Sequence, residues 1–183
     1  GVARMQVVAV DDGSTDRSGA ELDRFARRHP DLCTVIHQAN SGGPAGPFNR
    51  GLDAATGRYV FFLGADDHLG PEALARLVGV ADEVDADIVL GRLVGAGGRV
   101  VNQGIYKPGN RDDITLVNSA LPWALSNTKL FRRSMLEVHG IRYPEELRSY
   151  SDQPFTLRAV LAARRIAVRT DYTFYHAVRR TDS

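Results

Sequence analysis

The sequence predicts an α/β domain with a mixed, mostly parallel sheet flanked by helices. Three observations carry this. Short apolar runs alternate with amphipathic helical stretches, the pattern of parallel crossovers. The runs at Met5 to Val10 and Tyr59 to Leu63 each lead into a turn that holds two adjacent aspartates. The 183 residues are 43% hydrophobic and 25% charged, which suits one domain over 1–183 with a real core.

In chain order, Met5 to Val10 reads as a buried strand. Ser18 opens a capping box with Glu21, and Leu22, Phe25 and Ala26 form the apolar stripe of a helix that stops before Pro30. Thr34 to Ile36 is a short strand. After the Gly-Pro-rich "NSGGPAGP", Ala45, Phe48, Leu52 and Ala55 share a helical face, closed by Gly57 at C′. Tyr59 to Leu63 is apolar throughout and suits a strand covered on both faces. Pro71 fits the first turn of a helix carrying Leu74, Leu77, Val78 and Ala81, and Asp87 to Val94 is a strand weakened by its glycine. From Gly95 to Leu121 five glycines predict loops and short hairpins. "SNTKLFRRSMLEVHG" is a strand and a helix ending at Gly140, Ser151 caps a helix through Leu157, Val160 and Leu161, and "RIAVRTDYTFYHAV" is a last strand or pair.

Charge excludes some functions. With 23 basic against 22 acidic residues the net charge is +1, which argues against nucleic-acid binding and a polybasic membrane arm. The Arg pairs at 27–28, 132–133, 164–165 and 179–180 read as solvated faces. Cys33 stands alone, so no disulfide forms within the chain, and a reducing, cytoplasmic compartment fits. No apolar stretch approaches the roughly 20 residues of a transmembrane helix, which leaves peripheral contact with the inner face of a membrane open. Neither a dinucleotide fingerprint nor a P-loop occurs.

The chemistry concentrates in the acidic positions Asp11-Asp12, Asp66-Asp67 and Asp152. In parallel α/β sheets the ligand crevice lies outside the carboxyl ends of the strands, so the two pairs are expected to face one cleft. Adjacent carboxylates are costly unless a cation or hydrogen-bond donors offset them, and a hard divalent ion with a phosphate-bearing ligand would do so. A single pair is equally what a turn uses; two pairs at two strand ends favour a shared site.

The ordered set "VVAVDDGSTDRS", "NSGGPAGPFNRGLDAATGRYVFFLGADDHLGPEAL", "NTKLFRR" and "SDQPF" resembles the family 2 glycosyltransferases, above all bacterial enzymes that decorate cell-wall or capsular polymers. The resemblance covers nearly the whole chain. It implies the Rossmann-like GT-A fold and transfer of a sugar, with inversion, from a nucleotide-diphosphate donor, UDP by family habit. The acceptor would be a polysaccharide, a teichoic-acid-like or lipid-linked polymer, or another hydroxyl compound. Residues 1–94 would form the nucleotide-sugar-binding half and 95–183 the acceptor-side half. Carried over by motif, Asp11 and Asp12 would contact the uridine, and Asn49 and Arg50 would line the donor pocket. Asp66 would bind Mn²⁺ or Mg²⁺ bridging the diphosphate, with Asp67 as the adjacent metal ligand, and Asp152 would be the catalytic base. Gly64, Phe48 and Ser151 depart from the family's usual Asp, Arg and Glu. The family's first strand and helix have no counterpart ahead of Met5, and the end at "RRTDS" comes early, so the resemblance implies an excerpt of a longer protein.

Other residues carry weaker signals. Trp123 suits either a sugar-stacking face or a buried ring, Lys129 and Arg179, Arg180 and Ser183 read first as solvated side chains, and His176 as a satisfied core or loop histidine. His37 and His68 have no metal-ligand spacing. Two rival readings stay open. A non-catalytic glycosyltransferase-like module would bind the nucleotide sugar without turnover. A Mg²⁺-dependent receiver domain would use an Asp pair with Lys129, although the chain is long for one and leaves the second Asp pair without a role.

Overall fold

The computed structural model describes residues 5–179, in which the strands form two sheets. The first pairs β1 (Val7–Asp12) with β2 (Cys33–Gln38) in parallel, joined by α1 (Ser18–Arg28). The second has five strands in the order β3-β6-β5-β7-β4. These are β3 (Tyr59–Phe61), β4 (His68–Leu69), β5 (Ile88–Ala96), β6 (Leu130–Arg132) and β7 (Ile166–Val178). The helices α2 (Ala45–Ala54), α3 (Ala73–Glu83), α4 (Arg133–Val138) and α5 (Asp152–Ala162) complete the α/β alternation.

The expectation of a mostly parallel sheet is corrected. β5 runs parallel to β7, as β1 does to β2, but β3–β6, β5–β6 and β4–β7 are antiparallel. β6 is responsible for two of these: the long connection over 97–129 returns the chain so that β6 enters between β3 and β5 against both. Strands from both halves of the sequence therefore share one sheet. β1 is also less covered than expected. Val7 to Val10 are only half-buried, because among the described residues β1 has a strand neighbour on one side alone.

Several local expectations change for physical reasons. Ser18 is the first residue of α1 rather than its cap; the Asp16 carboxylate accepts the Ser18 amide at 2.8 Å, so no capping box forms. α2 ends where Ala55 turns extended, and Gly57 is not left-handed. Pro71 lies ahead of α3, which buries Ala73, Leu77 and Ala81. The 97–129 segment holds two short 3-10 turns, Gly104–Tyr106 and Leu121–Trp123. Gly91 is a packing requirement rather than a weakness in β5, since a Cβ there would lie 2.4 Å from the Phe174 ring.

The Arg pair at 132–133 is half-buried and structural rather than solvated, whereas Arg164 and Arg165 stay exposed, as expected, while also making structural contacts. Asp87, 2% exposed, accepts hydrogen bonds from Arg132 Nε at 2.9 Å and from the Arg164 amide at 2.9 Å and Nε at 3.3 Å. Burial raises its carboxyl, but the Arg164 and Arg132 contacts outweigh this and hold it below the usual range. This clamp fixes the start of β5 against β6 and β7. Arg133 donates to Gly57 O, and Arg165 to Val84 O.

An aromatic cluster forms the core beneath the sheet and sets α5. Phe62 meets Phe155 edge-on at 5.4 Å, Phe155 stacks on Tyr143 at 4.0 Å, and Phe48 stacks on Tyr143 at 5.1 Å. Phe48, a departure from the family pattern, is thus a packing residue. α5 buries Phe155, Thr156, Ala159 and Val160, leaving the expected Leu157 and Leu161 exposed. Ser151 precedes α5 but makes no capping bond, and its buried hydroxyl has no partner among the described residues. Tyr150, at φ 58°, makes the left-handed turn that enters α5.

Candidate active site

Asp11 and Asp12, expected in a turn, are instead the last two residues of β1, opposite His37 and Gln38 of β2, and this acidic strand end is satisfied from within the protein. Gly13, at φ 74°, supplies the left-handed residue that brings Ser14 back over Asp11. Asp11 accepts from the Ser14 amide at 3.0 Å and faces His37 Nδ1 at 2.9 Å; His37 Nε2 faces Asp23 at 3.0 Å. Hydrogen bonds from Ser14 and then His37 hold the Asp11 carboxyl below its usual range, and the same bonds to Asp11 and Asp23 raise the His37 imidazole. Asp12 accepts from Gln38 Nε2 at 2.6 Å, the Ser41 amide at 3.0 Å and Ser41 Oγ at 2.9 Å. The neighbouring carboxylates are therefore offset in part by the chain's own donors. His37, which offers no motif spacing, is the residue the sequence missed here.

Asn49, foreseen in the donor pocket, is 5% exposed. Its amide donates to Tyr143 O at 2.9 Å and Glu145 at 2.8 Å, while its carbonyl accepts the Tyr143 amide at 2.9 Å. It thus clips the 143–145 segment to α2. Arg50 is exposed beside it. A small cavity of about 90 Å³ lies next to this clip, between the 41–46 turn and Glu145, Leu147 and Arg148.

The second acidic turn divides its two carboxylates. Asp67 accepts the Tyr175 hydroxyl at 2.6 Å and the Val178 amide at 2.7 Å, with Arg99 at 3.8 Å. It therefore latches the turn onto β7, and a metal at Asp67 would have to share oxygens already in use. Asp66 is exposed and makes no hydrogen bond or ion pair among the described residues. Gly64 leaves the room in front of both: a Cβ there would lie 3.1 Å from Asp67 Oδ2 and 3.2 Å from Asp66 Oδ1. Among the described residues no group of three or more His, Cys, Asp or Glu side chains could hold a metal. The donor set fits a hard cation carried chiefly by a ligand's phosphate oxygens with one protein carboxylate, Asp66.

An open cleft of about 510 Å³ lies beside this turn, lined by Asp67, Arg99, Trp123, Lys129, Asp152 and Tyr175 among others. Asp11, Asp12, Asn49, Arg50 and Asp66 are not among its lining residues. The structure thus joins Asp67 to Asp152 across 85 residues of sequence but does not gather every foreseen carboxylate into that one cleft. Asp152 stands in the first turn of α5, half-buried. Burial raises its carboxyl, opposed by the backbone amides of Asp152 and Gln153 and by Lys129.

Lys129, foreseen as solvated, is 2% exposed, and burial pushes its amine down to about 7. Trp123 is 77% exposed at the cleft rather than buried. His176 stacks on His68 at 4.5 Å across the β4–β7 pairing. Arg180 and Ser183 lie outside the described residues.

A mixed α/β fold with a polar cleft between Asp67 and Asp152 defines a ligand-binding domain of the α/β class, and comparison with known proteins gives the family. Residues 3–140 match the model of glycosyl transferase family 2, and the chain belongs to that family. It is 37% identical over 175 residues to the poly(ribitol-phosphate) beta-glucosyltransferase of Bacillus spizizenii, covering 96% of this chain and 27% of the relative. It is 38% identical to the poly(ribitol-phosphate) beta-N-acetylglucosaminyltransferase TarS of Staphylococcus aureus, covering 96% of this chain and 30% of TarS. The chain therefore spans less than a third of these curated relatives. The crystal structure of S. aureus TarS 1-349 with UDP-GlcNAc superposes with a TM-score of 0.90 at 36% identity, over 98% of this chain and 51% of that one. The fold is thus the GT-A fold of TarS. A mannosyltransferase from Pyrobaculum calidifontis, solved with GDP-Man and Mn²⁺, covers 95% of this chain and 47% of that one at a TM-score of 0.65 and 23% identity, a likeness of fold alone. No helix among the described residues is long and apolar enough to cross a membrane.

Proposed function

We propose that this chain forms the transferase site of an enzyme that moves glucose or N-acetylglucosamine from a UDP-sugar to a hydroxyl of poly(ribitol-phosphate), with inversion. The single observation that carries the reading is Asp152, a half-buried carboxylate raised by burial and opening into the large cleft. The named activities of the two relatives and the UDP-GlcNAc complex of TarS support the donor and acceptor classes.

In this reading Asp152 accepts the proton of the attacking acceptor hydroxyl, and its raised pKa brings it closer to the operating pH, where a general base works best. A single displacement needs no enzyme nucleophile, so the anomeric configuration inverts. Residues 1–94 serve the donor, with Asp11 and Asp12 at the uridine and the Asn49 clip and Arg50 shaping its pocket, and residues 95–183 serve the acceptor. Asp66 is the carboxylate that would hold Mn²⁺ or Mg²⁺, with Asp67 fixing its turn. Such an ion, when bound, neutralises charge on the leaving diphosphate. A cytoplasmic site, with peripheral membrane contact, suits a nucleotide-sugar donor.

The test is a transfer assay with the full-length protein, UDP-glucose and UDP-GlcNAc, and a ribitol-phosphate polymer, with Mn²⁺, Mg²⁺ or chelator. Metal-stimulated transfer to the polymer is expected, and Asp66→Ala loses the stimulation. Equal activity of Asp66→Ala in metal and chelator, at the wild-type rate, contradicts the metal assignment.

A further inference from the structure

Lys129 is a buried amine with no place in the mechanism above. Its carbon stem enters just before β6, and Nζ donates to Ala124 O at 2.6 Å and to Ser126 O. Those two carbonyls flank Leu125, and the segment they fix carries Trp123 and lines the same cleft as Asp152. The segment is also tied to α5. Asn127 donates to the Tyr143 hydroxyl at 2.9 Å, and Tyr143 stacks on Phe155 at 4.0 Å, one turn beyond Asp152. Burying an ammonium is costly, so a chain that keeps Lys129 fully enclosed forgoes stability that an apolar residue would supply.

We propose that Lys129 is a positioning residue for transfer: its amine holds the Ala124–Ser126 wall of the cleft that it lines together with Asp152, and its positive charge there favours the ionised Asp152 carboxylate. This rests on the reading of Asp152 as the base. The other charged or titratable groups that face this cleft are Asp67, Arg99, Tyr106 and Tyr175, with Tyr143 behind the wall. Asp67 is committed to Tyr175 and the Val178 amide, and Arg99 to Val178 O with Asp67 at 3.8 Å, while Lys129 is the cation whose charge acts on Asp152. Below about pH 7 the amine is protonated, which is the range in which a carboxylate base loses its proton-accepting form.

Two variants separate the roles. Lys129→Gln keeps donors for the carbonyls and removes the charge; Lys129→Met removes both. In the full-length enzyme the acid limb of kcat/KM against pH is expected to move up by about one unit in both variants, the low end for losing a nearby opposite charge. Only Lys129→Met should also raise the acceptor KM. UDP affinity by calorimetry should stay at wild type in both, which reports folding. Unshifted acid limbs in folded variants overturn the proposal. Should neither variant fold, carbon-13 titration of wild type decides: the Asp152 carboxyl resonance must sense the Lys129 titration step, and its absence overturns the proposal. Absent wild-type transfer, or full activity in Asp152→Asn, would instead strike the functional reading itself.

Discussion

Asp152→Asn in the full-length protein is expected to lower transfer by roughly 10²–10⁴-fold, the range for removing a general base, while UDP-sugar affinity stays at the wild-type value. The change is isosteric, and α5 keeps its setting because Phe155 and Tyr143 fix the helix by packing. Loss concentrated in kcat is what removal of a group acting only in the transition state produces. The pH dependence has a definite sign. Burial raises the Asp152 carboxyl above the ordinary value, so the wild-type rate falls as pH drops through that raised pKa, and the acidic limb disappears from the residual rate of Asp152→Asn. Steady-state kinetics across pH together with calorimetry of UDP-sugar binding check both halves. A variant that loses binding in proportion to rate would assign Asp152 to the donor instead.

The largest stability effect is expected at Asp87, not at a site residue. Asp87→Asn should cost about 3 kcal/mol, the low end for opening a buried pair, because Arg164 reaches solvent and recovers part of its hydration. The Asp87 carboxyl is held below its unfolded value of about 3.9, so its contribution is complete above that pH and disappears as pH falls through the depressed folded value. Urea unfolding at neutral and acidic pH should show wild type losing its advantage over Asp87→Asn on acidification. A constant difference at every pH would mean the charge is not what the clamp uses.

The contrast between these two residues explains what was readable from sequence. Alternating apolar and amphipathic segments made the α/β class legible, because burial of one helix face and of a strand leaves a periodic trace. The direction of β6 left none. It is decided by the path of the loops over 97–129, and a three-residue Leu-Phe-Arg strand reads the same in either direction. Asp152 was legible through its motif. Lys129 was not, since a single lysine between a polar stretch and a short strand looks solvated until the Ala124 and Ser126 carbonyls are seen around it. Asp87 likewise offered no motif, and its partners Arg132 and Arg164 read as surface charge until the strand starts were brought together. The acidic pairs were found, but the balance of each was not. Ser14, His37, Gln38 and Ser41 supply the donors for Asp11 and Asp12, while Tyr175 and the Val178 amide occupy Asp67, and Asp66 has no partner among the described residues.

The claim on which the rest depends is that the cleft holding Asp152 carries out one direct displacement on a UDP-sugar. Proton NMR of the anomeric centre formed by the full-length protein from UDP-GlcNAc and a ribitol-phosphate polymer tests it most directly. A β-linked product, with the large coupling of an axial anomeric proton, is the predicted result; an α-linked product would require a second displacement or a front-side path and would contradict it.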